Sequence, residues 1–195
     1  MTLLLLYAAS PVVGAFLDAV GAFKREYGFV FSACSTAVFG GVIPFLVTLM
    51  TGRVDRSQRL RVFLFYTLFW FWKGIEVDAF YRLQAYLFGD AASFSIIAKK
   101  AVVDQFVYNP LWAGPTQVWF YLWKDSEFSL LRLKRQLIRE SFLRRTTIVL
   151  VSSWVVWIPT VAIVYALPSA LQIPLFNLVV CFWSLLLTSV SQREE

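Results

Sequence analysis

The sequence predicts an all-α fold, a multi-pass transmembrane helical bundle of about five spans plus an N-terminal apolar helix and a basic interfacial helix. Of the 195 residues, 59% are hydrophobic and 15% are charged, whereas a soluble domain is about half apolar and a quarter charged. Several apolar stretches reach the roughly 20 residues that a helix needs to cross a bilayer. Most of the positive charges lie in short stretches between them. The length predicts one membrane-embedded domain over residues 1–195.

Five apolar segments qualify as spanning helices by length and composition. In the first, Ala33, Ala37 and Gly41 recur every four residues, and this strip of small residues lets a neighbouring helix approach closely. In the third, we expect Pro110 and Pro115 to interrupt the helix, because proline lacks the N–H that a helix interior uses. The five segments are residues 29–50, 62–87, 94–123, 147–167 and 173–190.

The N-terminal residues 1–23 form a sixth apolar segment, which is predicted to be an additional helix. We expect Pro11 and Asp18 to break it, and the sequence leaves open whether it spans the membrane or lies in the interface. No basic stretch precedes its apolar residues, so a secretory signal peptide is not expected.

The loop charges predict the orientation of the bundle. Two loops on the same side carry eleven Lys and Arg residues, whereas the opposite loops, around Asp90 and residues 168–174, carry almost none. Positive loops face the cytoplasm or the matrix of an organelle, where they contact anionic lipid headgroups. This distribution explains the net charge of +6 without a nucleic-acid partner. The basic residues are Arg53, Arg56, Arg59, Arg61, Lys124, Arg132, Lys134, Arg135, Arg139, Arg144 and Arg145.

Residues 130–143 alternate apolar and basic side chains, which predicts the interfacial helix on anionic headgroups. The alternative is a solvated connector helix. The residues of the apolar face are Leu130, Leu133, Leu137 and Phe142. Those of the basic face are Arg132, Arg135 and Arg139.

Ionisable residues inside the predicted spans are candidates for a functional site, because charge is expensive at membrane depth. Either these groups line a polar pathway between helices, or they neutralise one another as buried pairs, such as Lys100 with Asp104 one turn later. The candidates that we consider most informative are Lys73, Glu76, Asp104 and Gln105, followed by Tyr81, Arg82 and Lys100. Other polar groups on these spans include Asp78 and Gln84.

Catalytic chemistry is not expected. The chain has no His, which is the commonest metal ligand and general base, and it has no phosphate-binding loop or zinc-protease motif. No cofactor or metal is therefore predicted. Cys34 and Cys181 lie in apolar segments and are expected to behave as small hydrophobic residues rather than a disulfide. A polar strip on the last segment, which includes Asn177, Cys181, Ser184 and Thr188, is expected to be a packing face.

Three blocks of the chain resemble the Mpv-seventeen and peroxisomal-membrane-protein-twenty-two family of small multi-pass proteins. The most specific block is residues 99–105 with Pro110, which resembles the family's Lys-x4-Asp-Gln-x4-Pro. The others are Gly74 with residues 80–82, and Pro168 with residues 183–188. The likeness covers residues 29–190, with departures that include Gln172 and Ser184, where the family has Arg and Asn.

The resemblance implies a protein of the mitochondrial inner or peroxisomal membrane, or of the cytoplasmic membrane in a bacterium. It also implies a weakly selective channel for small solutes. From a different functional class, the alternative is a structural or assembly protein whose buried charges only fix helix packing. A membrane enzyme is a third and weaker possibility. The sequence does not indicate the oligomeric state.

Overall fold

The computed structural model describes residues 10–52, 54–139 and 141–190, and all of its regular elements in these ranges are helices. The all-α prediction is therefore confirmed. Residues 1–9 of the predicted N-terminal helix and Arg53 of the first basic loop lie outside the described residues. The helices are α1 (Pro11–Thr36), a first π-helix (Ala37–Val42), α2 (Ile43–Met50), α3 (Arg59–Phe88), α4 (Phe94–Val103), a second π-helix (Asp104–Ala113), α5 (Gly114–Asp125), α6 (Leu130–Arg139), α7 (Phe142–Ala166) and α8 (Ser169–Val190).

Three stretches of the described chain are long and apolar enough to cross a membrane, namely Pro11–Met50, Phe142–Ala166 and Ser169–Leu186. They contain all or most of the first, fourth and fifth predicted spans. The second and third predicted spans are helical at their predicted positions, but they carry more charged residues. The bundle of five spans therefore stays a prediction.

The chain divides into two compact units. The first comprises Met1–Ala91 and Ala166–Glu195, and the second comprises Ala92–Tyr165. Helices α1, α2, α3 and α8 belong to the first unit, and α4 to α7 belong to the second. The prediction of one membrane-embedded domain stays a prediction.

The N-terminal helix bends at a glycine and not at the residues predicted to break it. Ser10 caps α1 by accepting a hydrogen bond from the Val13 N–H, and Pro11 occupies the first turn, where its missing N–H would have no partner in any case. Asp18 lies inside α1. The break instead falls at Gly28, whose φ of 53° and ψ of −123° are strained for any residue with a Cβ.

Small residues let α3 pack closely against the first long helix, as the strip of Ala33, Ala37 and Gly41 predicted. Ala33 and Ala37 are buried. A Cβ on Gly41 would lie 2.7 Å from the Tyr66 carbonyl oxygen, and one on Gly74 would lie 2.3 Å from the Ser32 carbonyl oxygen. The two backbones are therefore nearly in contact at both crossings, which only glycine permits.

The third predicted span is helical throughout residues 94–125, so the interruption predicted at Pro110 and Pro115 is wrong. Pro110 lies inside the second π-helix, where backbone N–H groups bond to carbonyls five residues earlier, as Gly114 does to Asn109. This wider helix accommodates the proline ring. Pro115 falls in the first turn of α5, where it costs no hydrogen bond.

Candidate functional site

The carboxylate of Asp78 is the centre of a buried ionic cluster in the first unit. Lys24 Nζ donates a hydrogen bond to Asp78 Oδ2 over 2.6 Å, and Ser32 Oγ donates to the same oxygen over 2.7 Å. Arg82 Nε donates to Oδ1 over 3.1 Å. Lys24 and Asp78 are each 4% exposed. A buried charge is tolerated only when it is paired and hydrogen-bonded, and the buried charges of Lys24 and Asp78 compensate each other.

The bend at Gly28 belongs to this cluster. Lys24 Nζ also lies 3.4 Å from the Gly28 carbonyl oxygen, so the carbonyl faces the ammonium group. Arg82 lies at the outer edge of the cluster, where its side chain is 53% exposed. Its guanidinium lies 4.4 Å from the centroid of the Phe29 ring. The left-handed glycine thus lets the residues on both sides of the bend, Lys24 and Phe29, contact groups of α3.

Lys73 and Glu76 form a second ion pair, one turn apart on α3. Lys73 Nζ donates to both carboxylate oxygens of Glu76, over 2.8 and 3.1 Å. The ammonium group also lies 4.9 Å from the centroid of the Trp72 ring, which adds a cation–π contact. Both members of the pair are shielded from solvent, so the pair neutralises its own charge.

Asp104 lies in the second unit and has a different environment. Tyr165 donates a hydrogen bond of 2.5 Å to Asp104 Oδ2, and the Gln105 amide donates one of 2.8 Å to Oδ1. Asp104 is 6% exposed. Both donors are neutral, so neither compensates the charge of the carboxylate. Lys100, which the sequence suggested as its partner, is buried with its ammonium 5.7 Å from the centroid of the Tyr165 ring.

Hydrogen bonds extend from Asp104 through a chain of neutral polar groups. Gln105 Oε1 accepts from the Asn109 amide over 3.3 Å, and the same amide donates to Ser153 Oγ over 3.1 Å. This chain joins the second π-helix to α7. It connects amide and hydroxyl groups in a part of the molecule that otherwise exposes apolar side chains such as Phe106 and Val155.

The second π-helix also frees a backbone carbonyl. Pro110 has no N–H to donate to the Gln105 carbonyl five residues earlier, and the Trp154 indole donates to that oxygen over 3.0 Å instead. A related arrangement occurs at the first π-helix. There Pro44 cannot donate to the Gly40 carbonyl four residues earlier, and Ser184 donates to it over 2.9 Å. In both cases a side chain of another helix replaces the missing backbone donor.

Asn177 and Ser184 of the polar strip on α8 pack against other helices, as predicted, whereas the side chain of Thr188 lies outside the described residues. Asn177 accepts a hydrogen bond of 2.7 Å from Thr36 and donates one of 2.8 Å to Ser35. Ser184 is fully buried. Cys181 is half-buried, Cys34 is exposed rather than buried, and neither forms a disulfide.

The structure assigns the predicted site residues to separate clusters. In the first unit, Lys73 and Glu76 pair with each other and Arg82 binds Asp78. Tyr81 is buried in the core, where its ring packs edge-on against Phe176. The predicted residues of the second unit are Lys100, Asp104 and Gln105.

Sequence reasoning missed several partners in the Asp78 and Asp104 clusters. Tyr165 lies 61 positions from Asp104, and Lys24 lies 54 positions from Asp78, so no local spacing connects them. Lys24 had one usable signal, since it is a cation at the end of an apolar helical segment. The remaining partners are Ser32, Asn109 and Ser153.

No group of three or more His, Cys, Asp and Glu side chains that could hold a metal occurs in the described ranges. No protein-family model, curated protein or solved structure matches the chain.

Proposed function

We propose that the chain is a multi-pass integral membrane protein of five spans that gives small solutes a weakly selective polar route across the bilayer. The proposal includes membership of the Mpv-seventeen and peroxisomal-membrane-protein-twenty-two family, and hence a mitochondrial inner, peroxisomal or bacterial cytoplasmic membrane. It involves no catalytic step and no cofactor.

The environment of Asp104 is the observation that supports this proposal. Helix packing explains Asp78 and Glu76, because each of these acids is paired with a cation. It does not explain Asp104, whose hydrogen-bond donors are the neutral Tyr165 and Gln105. An ionisable residue held at membrane depth without such compensation is costly to fold, and such residues commonly serve ion or solute pathways.

The neighbouring groups provide the chemistry that a polar solute needs. The side chains of Gln105, Asn109 and Ser153 supply both donors and acceptors in sequence, so a solute that displaces one hydrogen bond meets another. The π-helix adds a backbone carbonyl at Gln105, which accepts a bond from the Trp154 side chain. Selection in such a route depends on hydrogen bonding and on the sign of the charge at Asp104.

The alternative is a structural or assembly protein without transport activity. The two ion clusters of α3 favour it, because Lys73 with Glu76 and Asp78 with Lys24 satisfy one another. The Asp78–Lys24 pair joins α3 to α1 and holds these two helices in register without any need for a pathway. On this alternative, Asp104 is also a packing group.

Purified protein in planar bilayers and in solute-loaded vesicles distinguishes the two functions. The transport proposal predicts channel conductance and release of small polar solutes from the vesicles, with larger solutes retained. The assembly alternative predicts no conductance and no solute release. Circular dichroism and a melting transition verify that the protein is folded in the same samples. A silent but folded wild-type protein would therefore overturn the transport proposal.

A further inference from the structure

Helix α6 is held in a fixed orientation by the turn that precedes it. Ser126 Oγ donates a hydrogen bond of 2.8 Å to Gln136 Oε1, which ties the end of α5 to the middle of α6. Glu127 and Phe128 have positive φ values of 51° and 61°, an uncommon conformation that needs support from its surroundings. Glu127 provides part of that support through an ion pair with Arg132.

One apolar face of α6 is used for packing within the second unit. Leu133 is 3% exposed and forms a small core with Val118 and Leu122 of α5. Leu137 is partly buried against the same core. This contact fixes which side of α6 faces the rest of the unit.

A second apolar strip of α6 is not covered by protein. Leu131 and Ile138 are 61% and 75% exposed, and because they are seven residues apart they lie within about 20° of each other around the helix. The prediction of a single apolar face was therefore incomplete: α6 has one face for the protein and a second that is free.

Basic side chains border the free strip. Lys134, Arg132 and Arg135 are all exposed, and Arg135 lies next to Leu131 around the helix at about 40°. An exposed apolar strip beside a row of cations is the arrangement that binds the boundary between acyl chains and anionic headgroups.

The position of α6 in the chain indicates what covers the strip. Helix α7, which is long and apolar enough to cross a membrane, begins at Phe142. Only residues 140 and 141 separate it from α6, so the end of α6 lies within about 10 Å of the start of α7 at 3.3–3.6 Å per residue. A spanning helix begins at the membrane surface, so an α7 that crosses the bilayer places α6 at that surface too.

We propose that the outward strip of α6 is a docking surface for an anionic phospholipid bilayer. Leu131 and Ile138 enter the upper acyl region, while Lys134 and Arg135 bind lipid phosphate and so enrich anionic lipid around the second unit. This inference does not depend on solute transport, and an assembly protein would carry the same surface.

Fluorescence quenching by brominated lipids tests the proposal in the full-length protein. Cys34→Ser and Cys181→Ser remove the native thiols, after which Leu131→Cys or Ile138→Cys carries a bimane label. The protein is placed in vesicles of phosphatidylcholine and phosphatidylglycerol at equal fractions, with either one or the other lipid brominated. We expect strong quenching at both positions. The quenching should be at least about twofold greater with brominated phosphatidylglycerol than with brominated phosphatidylcholine.

The control variants separate charge from folding. Replacing Lys134 and Arg135 by Gln should reduce the ratio of the two quenching values to about one, while Lys134→Arg with Arg135→Lys should preserve it. High salt should also reduce the ratio, because screening shortens to about 3 Å at 1 M. A label at Val155→Cys, on the exposed side of α7, should be quenched equally by both lipids.

Three results would overturn the proposal. Quenching by aqueous iodide instead of by brominated lipid would identify a solvated connector helix. Protection from both quenchers would identify a covering protein, either a second copy or another partner. Equal quenching by the two lipids in the charged wild-type background would mean that the surface does not recognise anionic headgroups.

Discussion

Removing the carboxylate of Asp78 should destabilise the first unit strongly. Asp78→Ala leaves Lys24, which is 4% exposed, without the acceptor that lies 2.6 Å from its ammonium group. Removing one partner of a buried pair costs about 3–5 kcal/mol in soluble proteins. Arg82 adds at most about 1 kcal/mol, because its half-exposed guanidinium can turn to solvent or headgroups.

The loss is large enough to measure by thermal unfolding in detergent. For a chain of 195 residues, each kcal/mol lowers Tm by roughly 2–4 °C, so Asp78→Ala should lower it by roughly 6–20 °C. Glu26→Ala on α1 removes an exposed acid and serves as the matched control, with an expected effect within about 0.5 kcal/mol.

A double variant separates charge from packing. Lys24→Met combined with Asp78→Leu removes both charges and retains apolar volume, so it should recover much of the loss. If Asp78→Ala has the same melting temperature as the wild type, the Lys24–Asp78 pair is solvated and the predicted loss of stability is wrong. If the double variant melts below the single one, the cluster contributes through something other than charge compensation.

Three further predictions concern packing and topology. Gly74→Ala places a Cβ against the Ser32 carbonyl oxygen and should cost about 1–3 kcal/mol by overpacking; an unchanged melting curve would contradict the close crossing. Trp154→Phe removes the donor to the Gln105 carbonyl and should cost about 1–3 kcal/mol, whereas no loss would mean that another donor replaces it. The five-span topology predicts that the basic loops face one side of the membrane and that the loops around Asp90 and Ser169 face the other. Labelling of all these loops from the same side would refute the five spans. Reporters after Arg56 and Arg135 should share one side, and cysteines at Asp90 and Ser169 should label from the other.

Local sequence patterns predicted the helices because helix formation depends mainly on residues that are close together in the chain. Apolar runs located the helical segments, and the four-residue spacing of Ala33, Ala37 and Gly41 identified the face on which α3 packs. The prolines were misjudged, because the proline ring clashes with the carbonyl four residues earlier only in the usual α-helical register. The second π-helix supplies a different register at Pro110, and nothing in the residue spacing indicates it.

The residues that pair with the buried charges could not be predicted from the spacing of residues in the sequence. Periodicity assigns a residue to a face of its helix but does not identify the helix opposite that face. Helical spacing alone brings Asp78 close to Arg82, four residues later, whereas Lys24 lies 54 positions away. In the same way, Asp104 binds a phenol 61 positions later in the chain. Only the tertiary structure distinguishes Asp78 and Glu76, which are paired with cations, from Asp104, which is not.

The reversal potential of single variants in asymmetric salt tests the proposed route most directly. Asp104→Asn removes a negative charge that has neutral partners and should move selectivity towards anions, because charged groups in a pathway select ions by sign. Glu76→Gln changes an acid that is already paired with Lys73 and should move it much less. An unchanged reversal potential in folded Asp104→Asn, or a larger shift in Glu76→Gln, would contradict the assignment of the route to Asp104.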